Sequence, residues 1–361
     1  MSAQSLDTMT SIWPPRAPGA PRILVVGSQI FPDSFEWHIV DSLRHLGCPV
    51  EFFEARTSMP RTPKFAREII DRTLTFILRE PERLFERKLQ RAVKRFEPTL
   101  ILATLGNRVS PKTVKRLRAS TRAPIVCWCQ DAMTSIGRQY LLGAEYDAVF
   151  VKDRYMQDLF SRMIKSTTFH YLAEACNPRV HRTLDMSDAD RRFYGCDVMI
   201  AGTLYYYRQE ILRQLDGFEV KVWGRRPDWL LNRLTFKHSG MEVCCDDKAR
   251  AVGGARVCLN TLLYAEVNGL NCRAFELAGC GGFQVITSVP ALAEHFAVGS
   301  EIVEFKTSSQ LVELIRHYLD HPEAAAEIAK CGQMRAYREH TYEHRLAEIL
   351  RITLGYVPEM W

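Results

Sequence analysis

The segment from Asn271 to Gly282 (NCRAFELAGCGG) groups residue types that suit an anion lying next to a pair of hydroxyl groups. A helix starting here would offer free N–H groups and its positive dipole end to phosphate oxygens. Arg273 could donate to two of those oxygens, and Glu276 could accept from both hydroxyls of a ribose. Glycines such as Gly281 and Gly282 would let the backbone approach the ligand. This chemistry suits a nucleotide-diphosphate sugar, and the alternative is a capped helix that ends in a glycine turn with Glu276 exposed.

A second set of residues could contact the same kind of ligand. Gly202 and Thr203 follow the apolar run DVMIA, and Arg208 falls in the helical pattern after them. A glycine turn at the end of a strand, followed by an arginine, is a plausible phosphate contact. Such turns occur throughout α/β proteins. By itself the pattern is therefore not specific, and its position upstream of Arg273 is what supports a role in phosphate binding.

For general-base chemistry the candidates are Asp33, Glu36, His38 and Asp131. Asp33 and Asp131 follow two predicted strands. A carboxylate at the carboxyl end of a parallel strand lies where ligands bind in such folds. The alternative for either residue is capping of the next turn. His38 falls inside a helical pattern, where an ordinary surface or core histidine is the expected role.

Several familiar motifs are missing from the sequence. The first strand is followed by Gly27 alone, so neither G-x-G-x-x-G nor a P-loop is present, which argues against an NAD dehydrogenase and an NTPase. Asp188-Ala189-Asp190 matches a metal-binding D-x-D as text but lacks the preceding apolar strand. We expect it to cap a helix. The sequence therefore predicts no metal site.

The elements that must position these residues alternate between strands and helices. Apolar runs predict strands at 22–27, 50–53, 99–103, 124–128 and 148–151, and a second series at 197–201, 219–223, 255–260, 283–287 and 301–305. Helical patterns between strands imply parallel sheets. The expected fold class is α/β, with two Rossmann-like domains whose parallel sheets face an interdomain cleft. The expected division is a disordered tail at 1–20, an N-terminal acceptor domain at 21–185, a C-terminal donor domain at 186–342, and a helix at 343–361 that crosses back to the first domain.

Composition indicates a globular protein with reduced thiols. The 361 residues are 47% hydrophobic and 25% charged, enough for two cores. The eleven cysteines include no C-x-x-C pair, which favours buried thiols in a cytoplasmic protein. The first twenty residues hold no apolar signal region, and no run of 18 apolar residues predicts a membrane span.

The net charge of +6 is concentrated in one region. Residues 56–95 hold twelve Lys or Arg against five Asp or Glu, and four arginines recur every fourth residue: Arg83, Arg87, Arg91 and Arg95. On a helix they form one basic stripe. The stripe is either a solvated helix face or a contact for an anionic acceptor or a membrane surface. We expect no specific nucleic-acid binding.

Taken in order, the C-terminal motifs resemble those of the spore maturation protein CgeB-like glycosyltransferases, a family classed with the GT-B enzymes. The resemblance covers about 150 residues and rests on Gly202 and Arg208, the Lys221–Gly224 strand end, Leu259-Asn260, the 271–283 segment, Phe296-x-x-Gly299-x-Glu301-Ile302-Val303 and His340-Thr341-Tyr342-x-x-Arg345. The N-terminal half agrees more loosely, through Trp128-x-x-Asp131 and Tyr146-Asp147. The resemblance implies a GT-B fold that needs no metal and no cofactor beyond the donor.

The resemblance also implies roles for individual residues. Arg208, Arg273 and the amides near Gly281 would steady the diphosphate, and Glu276 would bind the ribose. Asn268 stands where the retaining GT-B motif has its first glutamate, and Glu266 is nearby but out of register. The full donor-binding set is expected to be Gly202, Thr203, Arg208, Gly224, Asn260, Asn268, Asn271, Arg273, Phe275, Glu276, Gly281 and Gly282.

The sequence thus predicts a glycosyltransferase that moves a sugar from a nucleotide-diphosphate sugar to a hydroxyl of an anionic glycan, a protein or a small molecule. If the reaction inverts the anomeric centre, Asp33 or Asp131 would deprotonate the acceptor. One alternative is a nucleotide-sugar epimerase or hydrolase on the same fold. Another is a non-catalytic glycan-binding protein.

Overall fold

The computed structural model describes residues 19–55, 80–104, 109–133, 136, 139–224 and 237–359, and for 80–83 the backbone only. The predicted tail at 1–20, apart from its last two residues, lies outside these ranges. The chain divides into two compact units. The first comprises 1–151, 156–172 and 346–361, and the second comprises 152–155 and 173–345.

The first unit contains a parallel sheet of six strands. They are β1 (Ile23–Gly27), β2 (Val50–Glu54), β3 (Leu100–Ala103), β4 (Ile125–Cys129), β5 (Ala148–Val151) and β6 (Thr168–Tyr171), in the order β2-β1-β3-β4-β5-β6. The helices along this stretch of chain are α1 (Phe35–His45), α2 (Glu80–Phe96), α3 (Pro111–Arg118) and α4 (Arg154–Met163), with a short 3₁₀ turn at Tyr140–Leu142. The residues of β1, β3, β4 and β5 are all buried, as expected where helices cover both faces of a parallel sheet.

The second unit contains another parallel sheet of six strands. They are β7 (Cys196–Ala201), β8 (Val220–Trp223), β9 (Lys237–His238), β10 (Ala255–Asn260), β11 (Gln284–Thr287) and β12 (Val303–Phe305), in the order β12-β11-β10-β7-β8-β9. The helices here are α5 (Asp188–Tyr194), α6 (Tyr206–Leu212), α7 (Cys245–Gly254), α8 (Cys272–Gly279), α9 (Leu292–His295), α10 (Ser308–Asp320) and α11 (Pro322–Glu339), and α12 (Tyr342–Leu354) follows. A 3₁₀ turn at Arg213–Leu215 extends α6.

The strand order of the second sheet decides which loops meet. β10 pairs with β7, and β7 pairs with β8, so these three parallel strands end at one edge of the sheet. Val198, Ile200 and Val257 form the buried core beneath that edge. Gly202, Gly224 and Thr261 follow directly after the strands and therefore share the edge at which open α/β sheets bind ligands.

Three further features of the structure concern a predicted helix cap, the cysteines and the character of the helices. Asp190 belongs to a capping box with Ser187 at the start of α5, which confirms that the D-x-D text marks a helix cap. None of the eleven cysteines, which all lie in the described ranges, forms a disulfide bond. In the described part of the chain, no helix combines the length and the apolar character needed to span a membrane.

Candidate functional site

Gly202, the residue after β7, brings two arginines together. Its φ of +104° is a conformation that L side chains rarely adopt, and its N–H donates to Trp223 O at 2.8 Å. A Cβ at this position would lie 3.1 Å from Arg273 Nη2 and 3.5 Å from Arg208 Nη1. Both guanidinium groups therefore lie against the turn that glycine makes possible.

Arg208, in the first turn of α6, is buried and held by the backbone around it. Its Nε donates to Thr261 Oγ1 at 2.8 Å, its Nη2 donates to Thr261 O at 3.2 Å, and its Nη1 donates to Thr203 O. These bonds fix the side chain between the ends of β7 and β10. Burial lowers the pKa of Arg208, and the neighbouring charge of Arg273 lowers it further.

Arg273 adds a second positive charge beside Arg208. Its Nε is buried and has no hydrogen-bond partner among the described residues. Within the described ranges neither Arg273 nor Arg208 forms an ion pair. Two guanidinium groups that converge, neither of them in an ion pair, form a site for an anion with several oxygens, such as a diphosphate.

Amide side chains hold the helix that carries Arg273. Asn271 caps α8 by accepting from Ala274 N at 3.2 Å, and its Nδ2 donates to Asn260 Oδ1 at 2.9 Å. Asn260 Nδ2 donates in turn to Asn271 Oδ1 at 3.0 Å and to Gln284 Oε1 at 2.9 Å. The two asparagines therefore tie the start of α8, and with it Arg273, to the end of β10 and the start of β11.

Glu276 lies one turn along α8 and is buried, which rules out the alternative of an exposed glutamate. Its Oε2 accepts from Lys248 Nζ at 3.0 Å, and its Oε1 lies 4.0 Å from His181 Nε2. Lys248 Nζ also lies 3.4 Å from that histidine nitrogen. His181 Nδ1 accepts from Asn177 N at 2.9 Å, so the proton of a neutral ring belongs on Nε2.

The sequence analysis missed both Lys248 and His181. Lys248 comes from α7, 28 residues before Glu276, and His181 comes from the segment before α5. Since nothing in the spacing along the chain relates these residues, only the fold brings them to one carboxylate.

Other members of the predicted donor set have packing roles in the structure. Phe275 is fully buried against Phe296 and the rings of His295 and His340. A Cβ on Gly282 would lie 2.6 Å from Val252 Cγ1. Similar close approaches exist at Gly281, beside Thr183 Oγ1 at 2.7 Å, and at Gly224, beside Gly202 O at 2.5 Å. These glycines are thus required by close packing, and Gly224 supports the turn at Gly202 directly.

Asn268 lies in the segment 261–270, between β10 and α8. Its backbone N–H donates to Asp153 Oδ2 at 3.0 Å, and its carbonyl accepts from Arg154 N at 3.2 Å. Its side-chain Oδ1 is buried and lacks a hydrogen-bond partner among the described residues. The backbone here is fixed, while an acceptor oxygen remains unsatisfied.

In the first unit, Asp33 forms a pair that the sequence did not predict. Its Oδ1 lies 3.0 Å from His38 Nε2, across the start of α1, whose cap is Ser34. Asp33 has a φ of 67°, a left-handed conformation that is costly for a residue with a side chain and that recurs at functional sites. Asp131 instead follows β4 and is exposed. One strand, β3, lies between β1 and β4 in the sheet.

The basic stripe lies on α2. Phe85, Leu89 and Val93 point into the core, while the described arginines of the stripe, Arg87, Arg91 and Arg95, are exposed. Arg95 pairs with Glu51 on β2. The side chain of Arg83 lies outside the described residues.

Comparison with known proteins identifies the architecture. Residues 208–351 match the family model described as glycosyl transferase-like. A search of curated proteins found no match. The match begins at Arg208 and includes Arg273 and Glu276, so the residues of the candidate site in the second unit fall mainly within it.

Solved structures resemble nearly the whole chain. Sucrose-phosphate synthase from Thermosynechococcus elongatus has a TM-score of 0.67 at 12% identity, with 92% of this chain and 98% of that chain covered. The UDP-forming trehalose-phosphate synthase of Burkholderia xenovorans has a TM-score of 0.64 at 12% identity, with coverage of 94% and 100%. Anabaena HepE, solved in complex with UDP and glucose, has a TM-score of 0.61 at 14% identity, with coverage of 92% and 100%. The chain therefore has the GT-B fold and carries a glycosyl transferase-like domain over residues 208–351.

Proposed function

We propose that this protein is a metal-independent GT-B glycosyltransferase that moves a sugar from a nucleotide-diphosphate sugar to an acceptor hydroxyl. The observation that carries the proposal is the convergence of Arg208 and Arg273 on Gly202, with the Nε of Arg273 buried and unbonded among the described residues. In such a reaction the bond between the sugar and the diphosphate breaks, and negative charge develops on the leaving phosphate. Fixed positive groups at that position lower the barrier to bond breaking.

The two arginines would differ in how they bind the phosphate oxygens. Arg208 is already held by three hydrogen bonds, so it loses little side-chain entropy when an anion arrives. Arg273 has an unbonded Nε and can turn its fork toward the phosphate oxygens. Together they would supply the charge that a divalent cation supplies in metal-dependent transferases, and on this ground we propose that the enzyme needs no metal.

Glu276 is the proposed ribose-binding residue. Its Oε2 forms an ion pair with Lys248, and this pair offsets the cost of burying the charge of the carboxylate. Donor hydroxyls would then bind to the carboxylate in place of water. Lys248 would act as a positioning residue, and its removal would leave an unpaired carboxylate in the core.

The first unit would bind the acceptor. If the reaction inverts the anomeric centre, Asp33 with its partner His38 is the proposed base, and Asp131 is the second candidate. If the reaction retains it, these residues would position the acceptor only. The exposed arginines of α2, Arg87, Arg91 and Arg95, would favour an anionic acceptor or contact with an anionic membrane surface.

Family and compartment complete the proposal. The order of the C-terminal motifs supports placement with the CgeB-like glycosyltransferases. The eleven cysteines, none of which forms a disulfide bond, support a cytoplasmic protein, because cysteines stay reduced in that compartment.

The proposal is tested by nucleotide binding followed by product analysis. The midpoint temperature of thermal unfolding should rise in the presence of one of UDP, GDP, TDP or CMP, and in the presence of the corresponding nucleotide sugars. With the nucleotide sugar that binds as donor, and in the presence of EDTA, the sugar should be transferred to a hydroxyl group of an acceptor. Release of a free sugar or an epimer without any acceptor would favour a hydrolase or epimerase. The absence of any shift would contradict the proposal.

A further inference from the structure

Four exposed tyrosines lie near the residues that hold Arg208. Tyr205, Tyr206 and Tyr207 form the start of α6, and Tyr264 comes after β10; together they are called the tyrosine patch below. The four residues are between 43% and 79% exposed. Single apolar residues on a protein surface need no explanation, but apolar residues that gather in one place mark interaction sites. The patch is therefore a candidate surface for a ligand or a partner.

Two of the four rings meet at a right angle. The ring centroids of Tyr207 and Tyr264 are 6.1 Å apart, and the angle between the ring planes is 87°. This edge-to-face contact is a favoured arrangement of aromatic rings, and it joins α6 to the chain after β10. Tyr264 is nevertheless 79% exposed, so the pair still presents ring surface to the solvent.

The backbone that carries the patch is fixed before any ligand arrives. Leu204 is fully buried in the core of the second unit, and Tyr205 O accepts from Gln209 N at 2.9 Å where α6 begins. Arg208, which follows Tyr207, is itself held by three hydrogen bonds. A tyrosine ring on such a backbone offers a large contact area and loses little conformational entropy on binding.

Both parts of the patch adjoin the proposed diphosphate site. Tyr207 directly precedes Arg208, and Tyr264 is three residues beyond Thr261, whose hydroxyl accepts from Arg208 Nε at 2.8 Å. Three residues of chain span at most about 10 Å. A molecule that lies on the patch is therefore close to a sugar whose phosphate is held by Arg208.

The chemistry of the patch fits the ring of a sugar. A pyranose carries hydroxyl groups around its edge and C–H bonds on its faces. Those C–H bonds are slightly positive and the face of an aromatic ring is slightly negative, so the two faces attract each other. A phenol hydroxyl both donates and accepts, which suits the hydroxyl groups at the edge of the sugar. The tyrosines supply no cation, which contact with an anionic membrane surface would require.

We propose that the tyrosine patch binds a saccharide portion of the acceptor by stacking, so that the acceptor is a glycan or a glycoconjugate. The inference rests on the proposed function, because only a transferase has an acceptor. It adds a contact on the second unit to the acceptor binding proposed for the first unit. The donor is held by buried groups such as Arg208 and Glu276, whereas the patch is exposed, so the two ligands use different surfaces.

The test begins with a printed array of oligosaccharides of glucose, galactose, mannose and N-acetylhexosamines, followed by calorimetry with those that bind. At least one oligosaccharide should bind the wild type in the absence of nucleotide. The double variant Tyr206→Ala/Tyr207→Ala should bind it at least about fivefold more weakly, because two stacking contacts are lost. The double variant Tyr206→Phe/Tyr207→Phe should keep most of the affinity, because both rings remain.

A nucleoside diphosphate separates a local effect from misfolding. The diphosphate that binds best among UDP, GDP and TDP should bind the double alanine variant as tightly as the wild type, because Arg208 and Arg273 are unchanged. If this variant disturbs the Gly202 turn and loses the diphosphate as well, Tyr264→Ala decides, since Tyr264 lies outside α6. This single variant should weaken oligosaccharide binding at least about twofold.

The matched control is Phe193→Ala. Phe193 is 53% exposed on α5, and its ring contacts Tyr194 and Trp223. Its removal takes away an exposed aromatic ring outside the patch. The affinities for the oligosaccharide and for the diphosphate should both stay unchanged.

The outcomes for the two proposals differ. The inference is wrong, while the proposed function stands, if the diphosphate binds and no oligosaccharide does, or if the alanine variants keep full oligosaccharide affinity. The inference is also wrong if the alanine variants lose only binding to phosphatidylglycerol vesicles, since the patch would then be a membrane contact. If oligosaccharides bind through the tyrosines but no nucleoside diphosphate binds, the proposed function fails, and with it the assignment of the saccharide as an acceptor.

Discussion

Replacing Arg273 with alanine should separate nucleotide binding from stability. The side chain forms no ion pair and no hydrogen bond through Nε among the described residues, so its removal breaks few stabilising contacts. Its Nη2 and Arg208 Nη1 lie within 3.1 and 3.5 Å of one point beside Gly202, which places the two nitrogens no more than about 7 Å apart. At that distance or less, two like charges near a protein surface repel by about 2.4 kcal/mol or more.

The expected result follows from these magnitudes. Arg273→Ala should keep or raise the free energy of unfolding, since relief of repulsion offsets the lost packing. A hydrogen bond to a charged group contributes about 1.5–3 kcal/mol. The Kd for the preferred nucleoside diphosphate should therefore rise about 10- to 150-fold.

The assay pairs calorimetry with urea unfolding for the wild type and two variants. The control is Arg213→Ala, which removes an exposed arginine from the 3₁₀ turn that extends α6. Arg213 Nη1 lies 2.6 Å from Glu210 Oε1. This control should leave Kd within about twofold, because an exposed pair of this kind contributes little. Equal affinity for Arg273→Ala and the wild type would refute the assignment. So would a large loss of stability, since it would show Arg273 to be a structural residue.

Three further perturbations follow from the geometry. Gly202→Ala should destabilise the protein by about 1–3 kcal/mol and weaken nucleotide binding. The control is Gly217→Ala, at a φ of 93° with no atom within 4 Å of the added Cβ, which should lower stability but leave nucleotide binding unchanged. Equal nucleotide affinity in both variants would contradict the role of the Gly202 turn in bringing the two arginines together. Burial chiefly lowers the pKa of His295 to about 3 and of His340 to about 4. The unfolded chain therefore binds protons below about pH 6.5 that the folded chain does not, and stability should fall by about 2 kcal/mol per histidine between pH 7 and pH 5. The midpoints of urea unfolding should depend less steeply on pH in His340→Gln than in the wild type. An unchanged dependence on pH would contradict the assignment to His340. Asp33→Asn should lower kcat in an inverting reaction and leave nucleotide affinity unchanged, and unaltered kcat would exclude it as the base.

Most of the fold could be predicted from the sequence because parallel strands are apolar along their whole length. Runs such as RILVVG, TLILA and DVMIA each became a buried strand. The strand Thr168–Tyr171 was not predicted, since its four residues include two polar ones and it lies at the end of the sheet. A strand of that length is recognised by its hydrogen-bonded partner, which the sequence does not reveal.

The site was predictable only where chemistry follows local sequence. Arg208 and Arg273 were predicted as donor contacts because each lies near a glycine turn or a helix start, and the structure places both beside Gly202. The contacts of Glu276 with Lys248, and of Glu266 with Lys152, join residues 28 and 114 positions apart. Phe275 was assigned to the donor site because of its place in the motif, yet its ring is buried in the core. Distance along the chain conceals such pairs, and a motif does not distinguish a packing residue from a contact residue.

The most direct test of the central claim is the affinity ratio between a nucleoside diphosphate and the monophosphate of the same base, measured by calorimetry on the wild type and on Arg273→Ala. If Arg208 and Arg273 hold the outer phosphate, the wild type should bind the diphosphate at least about tenfold more tightly. The variant should lose most of that preference while its monophosphate affinity changes little. A wild type that does not distinguish the two nucleotides, or a variant that keeps the full preference, would contradict the assignment of this site.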